Sequence, residues 1–170
     1  MSKAQFDKLK VNLWVAGTTD QEGNGGWCSH LHCCIQGQHY TKTIGGYAKG
    51  TTPTRMTLQA ILHGLLQLKK EKPVFVHIYT SVVQVSTGLN KHMYNWVRQG
   101  WLTTKGEPPQ HVDLWQQIYA VLTDSERVLS YKVHLQNQTT CDQPHRLVAI
   151  HSSAEYLLKG KKDLYEVALT

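Results

Sequence analysis

A continuous run of β-branched and aromatic residues at positions 73–79, PVFVHIY, constrains the fold of this chain more than any other segment. Such a run is typical of a central strand that is covered on both faces, whereas a strand with one face in water alternates apolar and polar residues. A sheet covered on both faces needs helices on each side. The run therefore indicates an α/β architecture.

The segments around this run predict four further strands and several helices. Strands are predicted at 11–15, 27–35, 39–47 and 127–135, and helices at 55–70, 81–89, 91–100, 111–122 and 145–160, the last ended by Gly160. The order predicts a five-stranded mixed sheet, with three strands in an antiparallel meander and helices connecting the fourth and fifth. One domain is predicted over residues 1–160, followed by a C-terminal tail at 161–170 that is either frayed or an added strand.

The charge balance indicates a polyanionic partner. Eighteen Lys and Arg residues against twelve Asp and Glu residues give a formal net charge of +6. Basic side chains gain by displacing counterions from phosphates, so nucleic acid is the simplest such partner, and the alternative is a merely basic soluble protein. No apolar run is long enough to cross a bilayer and no apolar signal core is present, so we expect an intracellular protein, nuclear or cytoplasmic, without a membrane partner.

Four sequence strings occur in the order and at the separations found in one family. GGW at 25–27 starts the second predicted strand, TTPTRMTLQAILHGLLQL at 51–68 covers the first helix, HIYTS at 77–81 ends the central strand, and NWVRQGWLTTKGEPPQHVDLWQQI covers 95–118. Together they resemble type I ribonuclease H over nearly the whole chain. The resemblance implies the ribonuclease H-like fold, an α/β fold with a five-stranded mixed sheet and helices on both faces.

The resemblance also implies where the catalytic carboxylates of the family would lie. In the family, four carboxylates hold two Mg²⁺ ions, which activate a water and stabilise the leaving oxygen of a phosphodiester. Here the four positions fall on Ala16, Thr57, Thr80 and Val148, or on Ala149 if the loop gap is placed differently. A hard cation needs charged oxygen ligands. The sequence therefore predicts a pseudoenzyme with no metal site and no cofactor.

An active nuclease with a relocated site is the alternative. A TDS string occurs at 123–125, but it lies between the DLW helix and the fifth strand. Asp142, in the loop before the last helix, can approach the site as a single carboxylate. One carboxylate does not bind two magnesium ions, so the inactive interpretation is preferred.

The segment 91–105, called the handle below, carries most of the candidate nucleic-acid contacts. Its candidates are the basic residues Lys91, His92, Arg98 and Lys105 and the aromatic residues Trp96 and Trp101. Basic residues interleaved with aromatic ones suit phosphate contact and stacking on bases or sugars. The alternative is that the tryptophans pack in the core and the basic residues are solvated surface.

The resemblance adds two candidates outside the handle. Asn24 lies in the glycine-rich turn after the first strand, and Arg55 starts the first long helix. Pro53 and Thr54 replace an asparagine pair with which family members read 2′-hydroxyls, so recognition specific for a hybrid duplex is not implied.

The string CSHLHCC is the one candidate for zinc. Strand alternation places Cys28, His30, His32 and Cys34 on one face of the second strand. These are zinc ligand types, but ligands in a single row rarely converge on one ion. A packed sheet face is the preferred interpretation, and zinc is the alternative.

Two functions therefore stand against each other. The first is a catalytically inactive domain that binds RNA, DNA or a hybrid duplex through the handle. The second is a protein-interaction or scaffold domain with no nucleic-acid role, derived from a retroviral or cellular ribonuclease H. The basic charge favours the first, and the missing asparagine pair favours the second.

Overall fold

A computed structural model describes residues 9–136 and 144–169 of the chain, with side chains through residue 162. The strands are β1 (Lys10–Thr19), β2 (Gly25–Ile35), β3 (Gln38–Ala48), β4 (Val74–Thr80) and β5 (Val128–Leu135). The helices are α1 (Pro53–Leu65), α2 (Val83–Thr87), a π-helical turn (Gly88–His92), α3 (Met93–Arg98), α4 (Val112–Leu122) and α5 (Pro144–Leu169). Within these ranges, no helix is long and apolar enough to cross a membrane.

The five strands form one mixed sheet in the order β3-β2-β1-β4-β5, which confirms the predicted fold class. β1 pairs antiparallel with β2 and parallel with β4, so that Leu13 lies opposite Leu31 on one side and Ile78 on the other. β2 and β3 are antiparallel, and β4 and β5 are parallel. Because β1 and β4 are parallel, their carboxyl ends meet at the same edge of the sheet.

The main core lies between the sheet and the helices α1 and α4. Leu58, Ile61 and Ile118 of the helices are fully buried against Leu13 and Ile78 of the strands. Each such side chain contributes about 1.5–3 kcal/mol by leaving water. α1 starts at Pro53 because Thr52 caps its amino end. The Thr52 hydroxyl accepts the Arg55 N–H at 3.2 Å, and a proline follows the cap.

The central strand β4 is covered unequally on its two faces. Val74, Val76 and Ile78 are buried, whereas Phe75, His77 and Tyr79 on the other face are half-buried. α5 covers that second face mainly over β1, β2 and β3. The prediction of a strand covered on both faces is thus confirmed for the α1 side and is only partly met on the α5 side.

Two glycines fix how closely the helices approach the sheet. A Cβ at Gly17 of β1 would lie 2.6 Å from Met56 Cβ and 2.8 Å from the Thr57 backbone nitrogen. A Cβ at Gly26 of β2 would meet the Leu157 nitrogen at 2.5 Å. Since any side chain there would push a helix away, these glycines allow direct backbone contact of α1 and α5 with the strands.

Two predicted helix ends were wrong. The first long helix ends at Leu65 and not at residue 70, because the chain tightens there: Gln67 N–H bonds Gly64 O, and Leu68 N–H bonds Leu65 O, both at 3.1 Å. α5 does not stop at Gly160 but continues to Leu169, through the segment predicted as a tail. The missing side chain of Gly160 makes room for the Tyr47 ring, so this glycine serves packing and not termination.

Candidate functional site

A cleft of about 340 Å³ opens at the carboxyl ends of β1 and β4, between α1 and α5. It is lined by Val15, Ala16, Gly17, Thr18, Thr57, Ser81, Val82, Arg146, Ile150, Ser153 and Ala154. The close approach at Gly17 holds the end of β1 against the first turns of α1, which brings Ala16 and Thr57 to the same wall. Residues that are far apart in the sequence thus share one concave surface.

Three of the four predicted carboxylate positions converge at this cleft. Ala16 and Thr57 line it, and Thr80 lines a small adjoining cavity that shares Ser81 and Arg146 with it. Thr57 and Thr80 are 1% and 2% exposed. Their hydroxyls are bonded locally: Thr57 Oγ1 donates to Pro53 O at 2.9 Å, and Thr80 Oγ1 accepts the Val82 N–H at 3.1 Å. These positions are therefore filled by neutral groups that the chain itself satisfies.

The fourth predicted position does not lie at the cleft. Val148 is 39% exposed and Ala149 is fully buried against Trp14 and Cys28, so neither lines the cleft. Arg146 and Ile150, one helical turn apart, occupy the cleft side of α5 instead. Arg146 is 7% exposed. Sequence reasoning missed this residue, although a basic residue in the first turn of the last helix was visible.

The donor set of the cleft does not fit a pair of magnesium ions. Among the described lining residues there is no carboxylate, and Arg146 carries the only formal charge. Mg²⁺ prefers charged oxygen ligands, and a nearby guanidinium repels it. Over the described part of the chain, no group of three or more His, Cys, Asp or Glu side chains could hold a metal ion. Asp142 lies outside the described residues.

The TDS string at 123–125 lies far from this cleft. It precedes β5, whose first residue Val128 pairs with Val74, whereas Thr80 and the cleft lie at the opposite end of β4. The Asp124 carboxylate accepts the Glu126 N–H at 3.0 Å and lies 3.8 Å from Arg127 Nε. These contacts give Asp124 a role in shaping its own turn.

A second groove, of about 540 Å³, separates the start of α1 from the handle. It is lined by Thr54, Val83, Gln84, Thr87, His92, Trp96, Thr103, Pro109, Gln110, His111 and Trp115. Lys91, His92, Arg98 and Lys105 of the handle are all exposed. The groove wall therefore mixes apolar and aromatic side chains with neutral polar ones, and the handle that borders it carries exposed basic residues.

The tryptophans of the handle are anchored in the core. Trp96 packs edge-to-face on Trp115 at 5.3 Å between ring centroids, and Trp101 on Tyr119 at 5.8 Å. Both are half-buried against the main core. These contacts favour the interpretation that both tryptophans pack in the core. On the groove side, the His92 ring stacks on Trp96 with 5.9 Å between the ring centroids.

The sequence profile of the RNase H family matches residues 9–157. The chain belongs to the ribonuclease H family. A ribonuclease H of Bordetella pertussis is 36% identical over 113 residues, which are 66% of this chain and 69% of that protein. A ribonuclease HI of Rickettsia conorii is 35% identical over 115 residues, 67% of this chain and 72% of that protein.

Solved structures show the same fold at low sequence identity. LC9-RNase H1, a type 1 RNase H with the type 2 active-site motif, superposes with a TM-score of 0.73 at 15% identity, over 87% of this chain and 72% of that one. A foamy viral protease–reverse transcriptase in complex with an RNA/DNA hybrid superposes with a TM-score of 0.66 at 11% identity, over 92% of this chain and 21% of that one. These likenesses establish the ribonuclease H-like architecture.

Two predicted contact residues of this ribonuclease H-family domain are engaged within the protein. Arg55 donates to both carboxylate oxygens of Asp113, at 3.1 and 2.7 Å, and this bond lowers the pKa of Asp113. Asn24 donates to Asp20 Oδ2 at 3.2 Å and accepts the Tyr47 hydroxyl at 3.1 Å. These bonds give Arg55 and Asn24 structural roles, and their contact with nucleic acid stays a prediction.

The row Cys28, His30, His32 and Cys34 serves the packing of this ribonuclease H-family sheet. Cys28 is fully buried, and burial raises the pKa of its thiol to about 11. His30 bonds His145 of α5 at 2.9 Å and Thr43 at 2.7 Å. His32 bonds His39 at 2.9 Å, and Cys34 is exposed. The two histidines thus bind other side chains, which favours the packed face over zinc.

A wider set of histidines on this sheet face was not predicted. His77 of β4 bonds His134 of β5 at 2.8 Å, and Tyr79 stacks on both His134 and Trp14. Trp14 also stacks on His145. Because cross-strand neighbours depend on register, single-strand patterns in the sequence carry no signal for these pairs.

Proposed function

We propose that this ribonuclease H-family domain binds nucleic-acid duplexes without cleaving them by the two-metal chemistry of the family. The observation that carries the proposal is the lining of the cleft, where Ala16, Thr57 and Thr80 offer no charged ligand and Arg146 is cationic. Carboxylates without metal repel phosphates, and neutral walls do not. The cleft is therefore suited to hold a phosphodiester that it does not hydrolyse.

Charge and exposure support binding through the handle. Lys91, Arg98 and Lys105 of the handle are exposed, and His92, Trp96 and Thr103 of the same segment line the second groove. The chain carries a net charge of +6. Each cation that neutralises a phosphate releases counterions, which drives binding and makes it sensitive to salt. The walls of the groove add the hydroxyl group of Thr54 and the amide group of Gln84, which suit sugar and phosphate contacts.

An RNA/DNA hybrid is the first ligand to test. Curated relatives carry the name ribonuclease H, and one structural neighbour is a viral enzyme in complex with an RNA/DNA hybrid. Double-stranded RNA and double-stranded DNA are the other candidates, because Pro53 and Thr54 replace the asparagine pair that would read 2′-hydroxyls.

Binding is measured by fluorescence anisotropy with hybrid, RNA and DNA duplexes over a range of salt concentrations. We expect log K to fall linearly with log salt, and the double variant Arg98→Ala/Lys105→Ala to reduce the slope by about two. The matched control, Lys69→Ala/Lys70→Ala, removes two exposed lysines that follow the carboxyl end of α1. Absence of salt-sensitive binding at micromolar protein would exclude the nucleic-acid function.

Cleavage is tested on the same duplexes with Mg²⁺ and with Mn²⁺. We expect no turnover with either ion, since the described cleft offers no carboxylate. Turnover that disappears in an Asp142→Asn variant, but not in Asp124→Asn, would show that the loop before α5 completes an active centre.

A protein-interaction function is the second candidate, and the outer side of α5 favours it. Leu147, Val148 and Leu158 are exposed there, Leu158 by 61%. If the duplex titrations show no binding, this helix side is the surface to substitute in assays of self-association, with Leu158→Ser as the first variant.

A further inference from the structure

We propose that Arg146 binds one backbone phosphate in the cleft, at the place where the family holds its metal ions, so that the cleft takes a phosphodiester without any divalent cation. This inference rests on the proposed duplex binding and names the group that would hold the phosphate. The ligand class is a phosphodiester within a nucleic-acid strand.

The position of Arg146 carries the argument. It lines both the 340 Å³ cleft and the adjoining small cavity. The walls of these two spaces include Ala16, Thr57 and Thr80, the three positions where the family's carboxylates would converge. The Arg146 guanidinium therefore lies where family members have carboxylates and the metal ions that these carboxylates bind.

The burial of Arg146 indicates a built site and not a surface contact. Arg146 is 7% exposed, and a charged side chain is rarely so buried without anionic or polar partners. A guanidinium has five N–H donors in a rigid fork, so it can keep a partner within the protein and still donate to a phosphate. Arginine binds phosphate in a bidentate way that lysine does not reproduce.

The surroundings of Arg146 suit a phosphate rather than a metal ion. Thr18 and Ser81 contribute further hydroxyl groups to the same walls, and no described lining residue is acidic. A phosphate oxygen can accept from such hydroxyls as well as from the guanidinium. A cleft of about 340 Å³ lies in the size range of small-ligand pockets, enough for a phosphodiester with part of its sugars.

A chelator distinguishes this cleft from a metal-dependent one, because only a metal-dependent cleft loses duplex affinity when divalent cations are removed. A cluster of carboxylates binds a phosphate only when cations are present, because the negative groups repel each other. Arg146 needs no such mediator. Duplex affinity should therefore be the same in EDTA and in Mg²⁺, apart from the general screening by salt.

The first test measures duplex affinity for the full chain and for Arg146→Gln and Arg146→Lys, in EDTA. We expect Arg146→Gln to weaken binding about tenfold and to lower the salt slope by about one. Arg146→Lys should keep the slope and recover only part of the affinity. The matched control is Arg127→Gln, which removes an arginine at the opposite end of the sheet, and it should leave both quantities unchanged.

The second test identifies the phosphate of the duplex that contacts Arg146. Single methylphosphonate linkages, which are uncharged, are placed at successive positions along each strand. One position should weaken binding by the wild-type chain and have no further effect on Arg146→Gln, since the two changes remove the same contact. A purely structural role of Arg146 would lower the melting temperature without singling out any phosphate.

The outcomes distinguish this inference from the function on which it rests. If the wild-type chain binds no duplex, the proposed function fails. If it binds, and the handle variant weakens binding while Arg146→Gln changes neither affinity nor slope, only the role of Arg146 is overturned. If Arg146→Gln does not fold, the methylphosphonate series on the wild-type chain and on Arg146→Lys decides, and equal affinity at every position overturns the inference.

Discussion

At the scale of single residues, Thr57 in the cleft wall and Thr80 in the small adjoining cavity need no ligand to satisfy their hydroxyls. Each hydroxyl is bonded within its own segment, to Pro53 O and to the Val82 N–H. A carboxylate in either place would instead be a buried charge with no metal beside it, and Arg146 is the only described cation in the lining. The neutral residues therefore avoid the desolvation cost that a buried carboxylate would carry in either place.

Replacing Thr80 by Asp should lower the free energy of unfolding by about 1–3 kcal/mol at neutral pH, because the desolvation of the buried charge exceeds its attraction to Arg146, which lines the same small cavity. Urea denaturation measures the loss. Thr80→Asn, which has the same shape without the charge, is the matched control and should cost clearly less. Saturating Mg²⁺ should not rescue Thr80→Asp, and a rescue would mean that further ligands reach the cleft.

At the scale of elements, one ion pair joins the starts of α1 and α4. Arg55 and Asp113 are 31% and 54% exposed at their side chains, so water screens their attraction. The two-pronged geometry compensates in part, since both carboxylate oxygens are bonded. The pair links two helices that both line the groove beside the handle, α1 through Thr54 and α4 through Trp115.

A double-mutant cycle measures this link. Arg55→Gln and Asp113→Asn should each destabilise the fold modestly, and their coupling energy should be about 0.5–1 kcal/mol. High salt should reduce the coupling. The same variants report on Arg55 as a nucleic-acid contact: if Asp113→Asn strengthens duplex binding while Arg55→Gln weakens it, the arginine is shared between the helix and the ligand.

The strands and helices also show which features of the fold and of the cleft can be predicted from the sequence. Strand and helix periods and the strings around Gly25 and Trp115 were sufficient for the mixed five-stranded sheet, but not for the order of its strands in space. The residues that α5 turns toward the cleft could not be predicted, because a gap in the loop before the helix leaves its rotation open. Arg146 lines the cleft, whereas Val148 is exposed. Likewise Gly160 resembled a helix end, while its role depends on Tyr47, which is distant in the sequence.

At the scale of the whole molecule, three histidine pairs span one face of the sheet. They are His30 with His145, His32 with His39, and His77 with His134, and together they involve β2, β3, β4, β5 and α5. Asn12 and Trp14 of β1 connect them through contacts with His32 and His145. Burial, and then neighbouring histidines or lysines, lowers the pKa of His30, His32, His77 and His134.

These lowered pKa values predict a fold that weakens in mild acid. In the unfolded chain these histidines take up protons near pH 6.5, while the folded chain resists protonation until lower pH. The stability is thus fully present above about pH 6.5 and is lost as the pH falls below it toward the folded pKa values. Urea unfolding at a series of pH values from about 7.5 to about 5.5 measures the decline.

The double variant His77→Gln/His134→Gln isolates the contribution of one pair. Its free energy of unfolding should depend less on pH in this range than that of the wild-type chain. The control His92→Gln makes the same substitution at an exposed histidine of the handle, outside these pairs. Equal pH dependence in all three chains would show that the paired histidines titrate as they do in the unfolded chain.

The ion pair between Lys161 and Asp20 bears on where this domain ends. Lys161 lies on α5 beyond residue 157, where the match to the family profile stops, and its Nζ is 2.8 Å from the Asp20 carboxylate in the turn after β1. The bond to Lys161 is the main reason why the pKa of Asp20 is lowered to about 2. A fragment cut at the family boundary would keep the sheet and cleft residues but would remove the cationic partner of the Asp20 carboxylate, which bonds Asn24 in the same turn. An expression fragment that is meant to behave like the intact domain should therefore extend past Lys161.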